Sequence, residues 1–598
     1  MKIKVTIIYI LCLSFLFVAC EDYLDKAPES TFTDKDVFGD FRGFQGFVEE
    51  LYNGIPELDK AASPTGHFNL ADEVLNTTPY AFDNGDYWSA ATFLYGSMNF
   101  GTGQGVISKK IWNNSWYGIA KANMALQKLD EEGLFAGTSA QRDLLKGQAL
   151  FFRAFYYFQI CRFWGGMPYV TRAINPTEEF DSEDFIRTDF RTTALKMAAD
   201  LREAANILPD HWDNHPDGQA TLNHNRDRIN KFMCLGYLGQ AYLFAASPMI
   251  NEESTGVDAF DPDLCKQAAD VFGELLQLRD NTNLYQLETM ENYLNTFLRF
   301  GNNRPGGLED ILSPQVYGQG NSRNSFIEFL PPDMGRQIPS NLQTPTHNYS
   351  LNFGCKNGYP LGHPKSVYDP TDPWVNRDPR FYVNYAVDNE KFHNMLQGTT
   401  NQRLELFTNG YHRKDAPLIS ITGYMHKKHT GLYPGMTSDD LNTIVTTIPY
   451  LRLAEVYLLY AEAVNFQPGG GPKATSSNYS MTAESAINVV RNRATLPDID
   501  EEFTANRDVF FEEIVRERAV ELAFEGKRFD DLRRWNRNGD PRYLRKTKIE
   551  FDRGPDGKPI NMQEVTHIIR RVEKKHNWVP LQISWVSLYK NFYQNPGW

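Results

Sequence analysis

A mostly α-helical scaffold of paired helices, carrying one large irregular, loop-rich insertion, is the fold class this sequence predicts, and three observations support it. Apolar residues recur at three- and four-residue spacing in block after block on both sides of the chain's middle. From about 301 to 447 that periodicity stops and Gly, Pro and Asn accumulate. Where helical blocks follow one another in pairs, small residues stand where two helices cross closely. The pairs are tetratricopeptide-like, with spacings that depart from the usual repeat of roughly 34 residues.

The first element is a leader. Lys2 and Lys4 precede an apolar run from Val5 to Ala19, a charged flank followed by a segment too short to span a bilayer comfortably. It ends in Phe17-Val18-Ala19-Cys20, a small residue before cysteine, and turns acidic at once with Glu21 and Asp22. This pattern is similar to a bacterial lipobox, so residues 1–19 are expected to be a lipoprotein signal peptide and Cys20 the lipidated first residue of the mature chain. An ordinary secretory signal is the alternative. Lipid on Cys20 would hold a large domain on a membrane surface without a spanning helix.

Helices are expected over Asp36 to Ile55, Trp112 to Leu129 and Leu144 to Trp164, the last holding the bulky run FFRAFYYFQICRFW before Gly165-Gly166. Leu195 to Leu208, Ile229 to Ser247 and Leu264 to Leu278 continue the pattern. These make up an N-terminal helical part, 20–300. The insertion, 301–447, reads as loops and turns, in phrases such as FLPPDMGRQIPS and YDPTDPWVNRDPRFY. Helices return at Pro449 to Phe466, Thr482 to Ala494 and Arg507 to Trp535 in the last part, 448–598. YLGQAYLFAASP before the helix from Leu264, and LRLAEVYLLYAEA before Ala483, form the two clearest helix pairs.

Charge and composition narrow the function. The 598 residues carry a formal charge of −14, more negative still once Lys2 and Lys4 leave with a signal, which argues against nucleic acid and against an electrostatic grip on anionic lipid. Cys161, Cys234, Cys265 and Cys355 are widely separated with no CxxC, so they match neither a zinc site nor a dense disulfide framework and read as buried small apolar groups. There is no HExxH, no GxSxG and no Walker-type loop, and GTGQGV (Gly101 to Val106) lacks the third glycine of a dinucleotide loop. Aromatics reach 13 %, including 30 Tyr and 10 Trp. Such rings, flat and apolar with a polar handle, suit platforms for sugars.

The C-terminal third carries a family resemblance. LRLAEVYLLYAEAVN (Leu451 to Asn465), INVVRNRATLP (Ile487 to Pro497), IVRERAVELAFEGKRFDDLRRW (Ile514 to Trp535) and YQNPGW (Tyr593 to Trp598), with CEDYLDKAP near the start and NRDPRFY (Asn376 to Tyr382) in the middle, together resemble the SusD/RagB family of Bacteroidota. The resemblance covers nearly the whole chain. It implies a surface-exposed outer-membrane lipoprotein that captures a nutrient, typically a glycan, and delivers it to a partner SusC-like TonB-dependent transporter, without being an enzyme. It also implies that Glu21 and Asp22 act as a surface-export signal; a solvated tether is the plainer account of the same acids.

Candidate ligand contacts follow from the resemblance and from local composition. ADEV (Ala71 to Val74) resembles the stretch where many SusD-like proteins place ligand contacts, so Asp72 and Glu73 are expected to accept hydrogen bonds from sugar hydroxyls and Tyr87 or Trp88 to supply a stacking face. For Trp88 a core role is equally open, and the acids could instead cap local backbone. Trp112 and Trp116, on a helical stripe, read as core. Tyr317 and Arg323 in a Gly/Ser-rich loop offer a second surface, whereas Trp374 and Arg380 in the family phrase read as structural.

Asp530 and Asp531, like Asp72 and Glu73, are adjacent in sequence and so cannot face one glycosidic bond together; they read as ion-pair partners. No cofactor is expected. Asp369, Asp372 and Asp378 offer oxygen ligands that calcium could use, and a solvated acidic turn explains them as well. Two other readings stand beside the glycan binder: a lipoprotein of the same fold with a peptide or glycoprotein ligand, and a surface hydrolase.

Overall fold

The structure is a computed structural model that describes residues 33–55, 70–76, 82–89, 111–174, 185–299, 307–314, 343–391, 403–413, 420–429, 445–588 and 590–598. It begins with two short helices, α1 (Asp34–Phe38) and α2 (Phe41–Asn53), where periodicity predicts one. The break has a local cause. Gly39 ends the first helix, and the Asp40 carboxylate accepts from the Gly43 amide at 2.8 Å, which starts the second.

The main array then follows in order: α3 (Ile111–Asp130), α4 (Ser139–Trp164), α5 (Phe190–Ile207), α6 (Lys231–Ala246), the short α7 (Pro248–Thr255) and α8 (Pro262–Thr282). After the central region come α9 (Leu453–Phe466), α10 (Ala483–Arg493), α11 (Arg507–Glu521) and α12 (Arg528–Arg534). Most starts are set by a polar side chain that satisfies an orphan amide: Thr138 with Gln141 for α4, Asp189 for α5, Asn230 for α6, Asp261 for α8, Thr482 for α10 and Asn506 for α11.

Each long helix packs on the next, α3 on α4, α4 on α5, α5 on α6, α6 on α8, α8 on α9, and α9 on both α10 and α11. This is the helical-pair scaffold that the sequence predicts. From Leu144 to Trp164, α4 is buried almost all round, as its nearly unbroken apolar run requires of a central helix. Small residues do stand at the close crossings: Gly118 of α3 lies against the Tyr156 ring of α4, and Gly239 of α6 against Phe272 of α8. The four described cysteines are free and buried, and none is paired.

Two expectations in the last third are corrected. The helix foreseen over Arg507 to Trp535 is two helices, because Phe524 and Gly526 take positive φ (63° and 74°) between α11 and α12. A long antiparallel hairpin, Arg545–Arg553 with Pro559–Ile569, follows α12 and was not foreseen. Its turn signal, Asp556-Gly557 with Gly557 at φ 82°, stands openly in the sequence.

The core is ionic as well as apolar. Arg452 meets Glu309, Glu521 and Glu525 at 2.5, 2.8 and 2.7 Å; Arg380 meets Asp378, Glu517 and Glu521 at 2.8, 2.5 and 3.0 Å, all of these side chains buried. Arg493 joins Glu309 and Glu521, and Lys428 joins Glu525 at 2.6 Å. The arginines hold the carboxyl of Glu521 well below the usual range despite its burial. Short pieces of the central region, around Glu309, Asp378–Arg380 and Lys428, are thereby fastened to α11 and the turn after it. Among the described residues no helix is long and apolar enough to cross a membrane.

Candidate functional site

The residues singled out from the sequence divide sharply. Asp72 and Glu73 are buried, and both are engaged with the turn and helix that follow α11. The Asp72 carboxylate accepts from Arg528 Nε at 3.0 Å, and Glu73 Oε1 accepts from the Phe524 amide at 2.8 Å. Burial pushes the Glu73 carboxyl up to about 8, with the Asp72 charge acting in the same direction, so it is neutral near pH 7. Strand Val74–Asn76 then pairs with Gln343–Pro345. The ADEV stretch is therefore a junction inside the molecule, and its acids are not open to a sugar. This corrects the expectation for both.

Tyr87 is corrected too, since its ring is fully buried, while its neighbour Trp88 is 39 % exposed. The turn 82–89 explains the contrast. Phe82 packs inward, edge-on to Tyr87 at 4.5 Å and to Phe529 at 5.8 Å. Asp83, also buried, is held by Lys546 at 2.9 Å and lies 3.3 Å from Arg570 Nε. Gly85 takes φ 73° with the Arg571 carbonyl where a Cβ would point, and Asp86 Oδ1 accepts from the Ser89 amide at 3.1 Å. Anchored at both ends, the turn sends Tyr87 in and Trp88 out.

What Trp88 stands on was missed from the sequence. Its ring lies edge-on to Trp598 at 5.9 Å. Trp598 stacks on Tyr87 at 6.0 Å, and His576 packs against Tyr87 at 4.6 Å and Trp598 at 5.3 Å. The Trp598 indole N–H donates to the carbonyls of Lys575 and Trp578 at 2.9 and 3.0 Å, which fixes its orientation, and Lys575 Nζ lies 5.1 Å from its ring centroid. Burial lowers the His576 pKa, so this ring is neutral.

The segment carrying Trp598 is itself tied down. Arg187 donates to the carbonyls of Trp164, Gly166 and Tyr593 and to Asn595, whose amide nitrogen reaches the Trp164 and Val579 carbonyls. YQNPGW was visible as a family phrase. Only the fold brings it against residues 82–89.

The remaining candidates sort as follows. Trp112 is buried and stacks on Trp585 at 4.5 Å; Trp116 is half-buried against Tyr157. Trp374 is buried edge-on to Phe551, and Arg380 belongs to the ionic core, as the structural reading has it. Asp530 pairs with Arg162 and Arg533, Asp531 with Arg518 and Arg534. Asp369 holds Thr371, Asp372 holds Lys558 and Asp378 holds Arg380, and no cluster fit for a metal ion occurs among the described residues. Cys20, Tyr317 and Arg323 lie outside the described residues. Chemically, the arrangement around Trp88 is a fixed aromatic shelf with an open indole, suited to binding a flat apolar face.

A paired-helix scaffold with short strands and a surface aromatic shelf defines a class of binding protein, and comparison places the chain within it. Residues 311–598 match the model described as SusD family, and residues 22–223 the model described as starch-binding associating with outer membrane. The SusD-like protein P2 of Formosa agariphila is 23 % identical over 446 residues, 73 % of each chain. Among solved structures, a SusD-like protein from Bacteroides fragilis superposes with a TM-score of 0.69 at 18 % identity, covering 96 % of this chain and all of that one. A laminarin-binding SusD-like protein gives 0.53 at 18 %, covering 94 % and 100 %. The chain belongs to the SusD/RagB family.

Proposed function

We propose that this protein is a cell-surface glycan-binding lipoprotein, which captures oligosaccharide or polysaccharide on the shelf built around Trp88 and delivers it to a SusC-like TonB-dependent transporter. Lipid on Cys20 holds it on the outer membrane, and its work is binding, with no chemistry on the ligand. The observation that carries this reading is the exposed Trp88 ring braced edge-on against Trp598, in a turn whose other two rings, Phe82 and Tyr87, are buried. Family membership, the outer-membrane and starch-binding wording of the matched model, and the laminarin-binding neighbour support it.

A sugar's axial C–H face packs on an indole while its hydroxyls seek polar partners around it, and fixed rings lose little freedom on binding. Losing one central aromatic should therefore weaken binding disproportionately. The test is calorimetric titration of residues 21–598 with laminarin, starch and other plant and microbial glycans, beside Trp88→Ala and Trp88→Phe. One glycan class is expected to bind saturably. Trp88→Ala should weaken it at least tenfold, about 1.4 kcal/mol, with an unchanged melting temperature and partial rescue by Phe. Silence across all glycans, or binding indifferent to Trp88→Ala, would overturn the assignment and favour a peptide ligand; turnover of a glycan by the pure protein would overturn the binding-only role.

A further inference from the structure

The shelf has a cationic border, and we infer that it selects anionic sugars, uronates or sulfate esters, whose acid group is met by Arg571 and Lys575 while the ring lies on Trp88. This inference rests on the glycan reading above. In a chain with 75 acidic and 61 basic side chains, four bases and one acid fall within Arg570 to Lys575, the stretch that supports the shelf. Two of the four are spent elsewhere: Arg570 is buried beside Asp83, and Lys574 pairs with Glu252. Lys575 and Arg571 remain beside the site. Lys575 Nζ lies 5.1 Å from the centroid of Trp598, the ring that Trp88 abuts, and its side chain is 31 % exposed. Arg571 is exposed, with its Cβ against Gly85 three residues before Trp88, and it forms no ion pair among the described residues.

Among the described residues, the acids beside this pair do not cancel it. Glu573 approaches Lys575 only loosely, at 3.5 Å, and is 68 % exposed; Asp86 turns its carboxylate to the Ser89 amide. An arginine with no ion-pair partner among the described residues, rooted against Gly85 and four positions from a lysine at the edge of an aromatic shelf, is a donor set suited to carboxylate or sulfate, where charge-assisted hydrogen bonds are about twice as strong as neutral ones. A neutral sugar would use the same ring and leave both cations to water.

Matched probes separate the two. Residues 21–598 are titrated with oligogalacturonate and its methyl ester, and with a sulfated galactan and its desulfated form, at 50 and 500 mM NaCl, using wild type, Arg571→Gln/Lys575→Gln and Trp88→Ala. At least one acidic form is expected to bind tenfold or more tighter than its neutral partner. That margin should shrink in high salt and vanish in the double variant, while Trp88→Ala weakens both members of the pair and the melting temperatures stay constant. A uronate or a sulfate preference tells which acid is read. Equal binding of acidic and neutral forms, or binding of neutral glycans alone with Trp88→Ala still damaging, overturns the charge selection and leaves the glycan site standing. No binding of any glycan overturns both.

Discussion

Asp72 and Glu73 sit side by side and do opposite electrostatic work. Asp72 partners a buried guanidinium, so Asp72→Ala would strand Arg528 without its counter-charge; a loss of about 3–5 kcal/mol in unfolding free energy is expected, read by urea denaturation. Glu73 keeps its proton until about pH 8, against 4.5 when unfolded. The unfolded chain therefore releases this proton first as pH rises, and stability falls between pH 4.5 and 8 by about 1.4 kcal/mol per unit. Glu73→Gln keeps an acceptor for the Phe524 amide and has no proton to lose. Its urea midpoint should match wild type below pH 4.5 and exceed it at pH 8, and a variant less stable at both ends would refute the neutral acid.

His426 shows the reverse sign. Its Nε2 lies 3.0 Å from His429 Nδ1 inside the core, and burial lowers its pKa from 6.5 to about 3, with that of His429 well below its ordinary value. The neutral ring is the one the fold accommodates. Its contribution is complete above pH 6.5 and is lost as pH falls toward 3, by about 1.4 kcal/mol per unit for His426. His426→Phe should flatten that acid limb in a pH series of urea midpoints.

Among the elements, the crossing of α3 on α4 has the least slack. A Cβ on Gly118 would come within 2.2 Å of the Tyr156 ring, which cannot swing aside because its hydroxyl donates to the Leu51 carbonyl of α2. Gly118→Ala should therefore cost about 1–3 kcal/mol, visible as a lowered melting temperature, with any glycan affinity retained in the folded fraction.

The helices themselves were legible, since a 3.6-residue apolar period survives in any buried amphipathic segment. Their interruptions were less so. Gly39-Asp40 and Phe524 to Gly526 break a helix through cap chemistry and positive φ, which leave the hydrophobic stripe almost undisturbed. The shelf was half legible. Trp88 could be read as an aromatic in a polar loop, but its support comes from Trp598 and His576, and no local pattern announces a contact that distant. Asp72 and Glu73 misled for a related reason, because an acid reads the same in sequence whether it faces water or an arginine.

At the scale of the molecule, the ionic core joins parts of the chain that the apolar pattern treats as separate. Arg452 and Arg493 each link Glu309 in the insertion to Glu521 behind it, and Arg380 and Lys428 bring other pieces of the insertion to Glu521 and Glu525. Arrays of helix pairs usually depend only on neighbouring units. Here buried charges couple distant ones, so denaturation followed by Trp fluorescence and by far-UV circular dichroism should give coincident midpoints, and separated transitions would show that the coupling is weak.

The pairing of Asp72 with Arg528, 456 positions apart, and of Asp83 with Lys546, 463 apart, also sets a timetable. A ribosome makes the acids of this junction long before their bases exist, and until then each carboxylate is better off hydrated than enclosed. The early segments can form helices but cannot close around Asp72 or Asp83, so this junction waits for its bases until almost the full length has been synthesised. High contact order of this kind makes for slow, late folding. A polypeptide that postpones compaction in this way stays able to thread a narrow channel until its last segment is made.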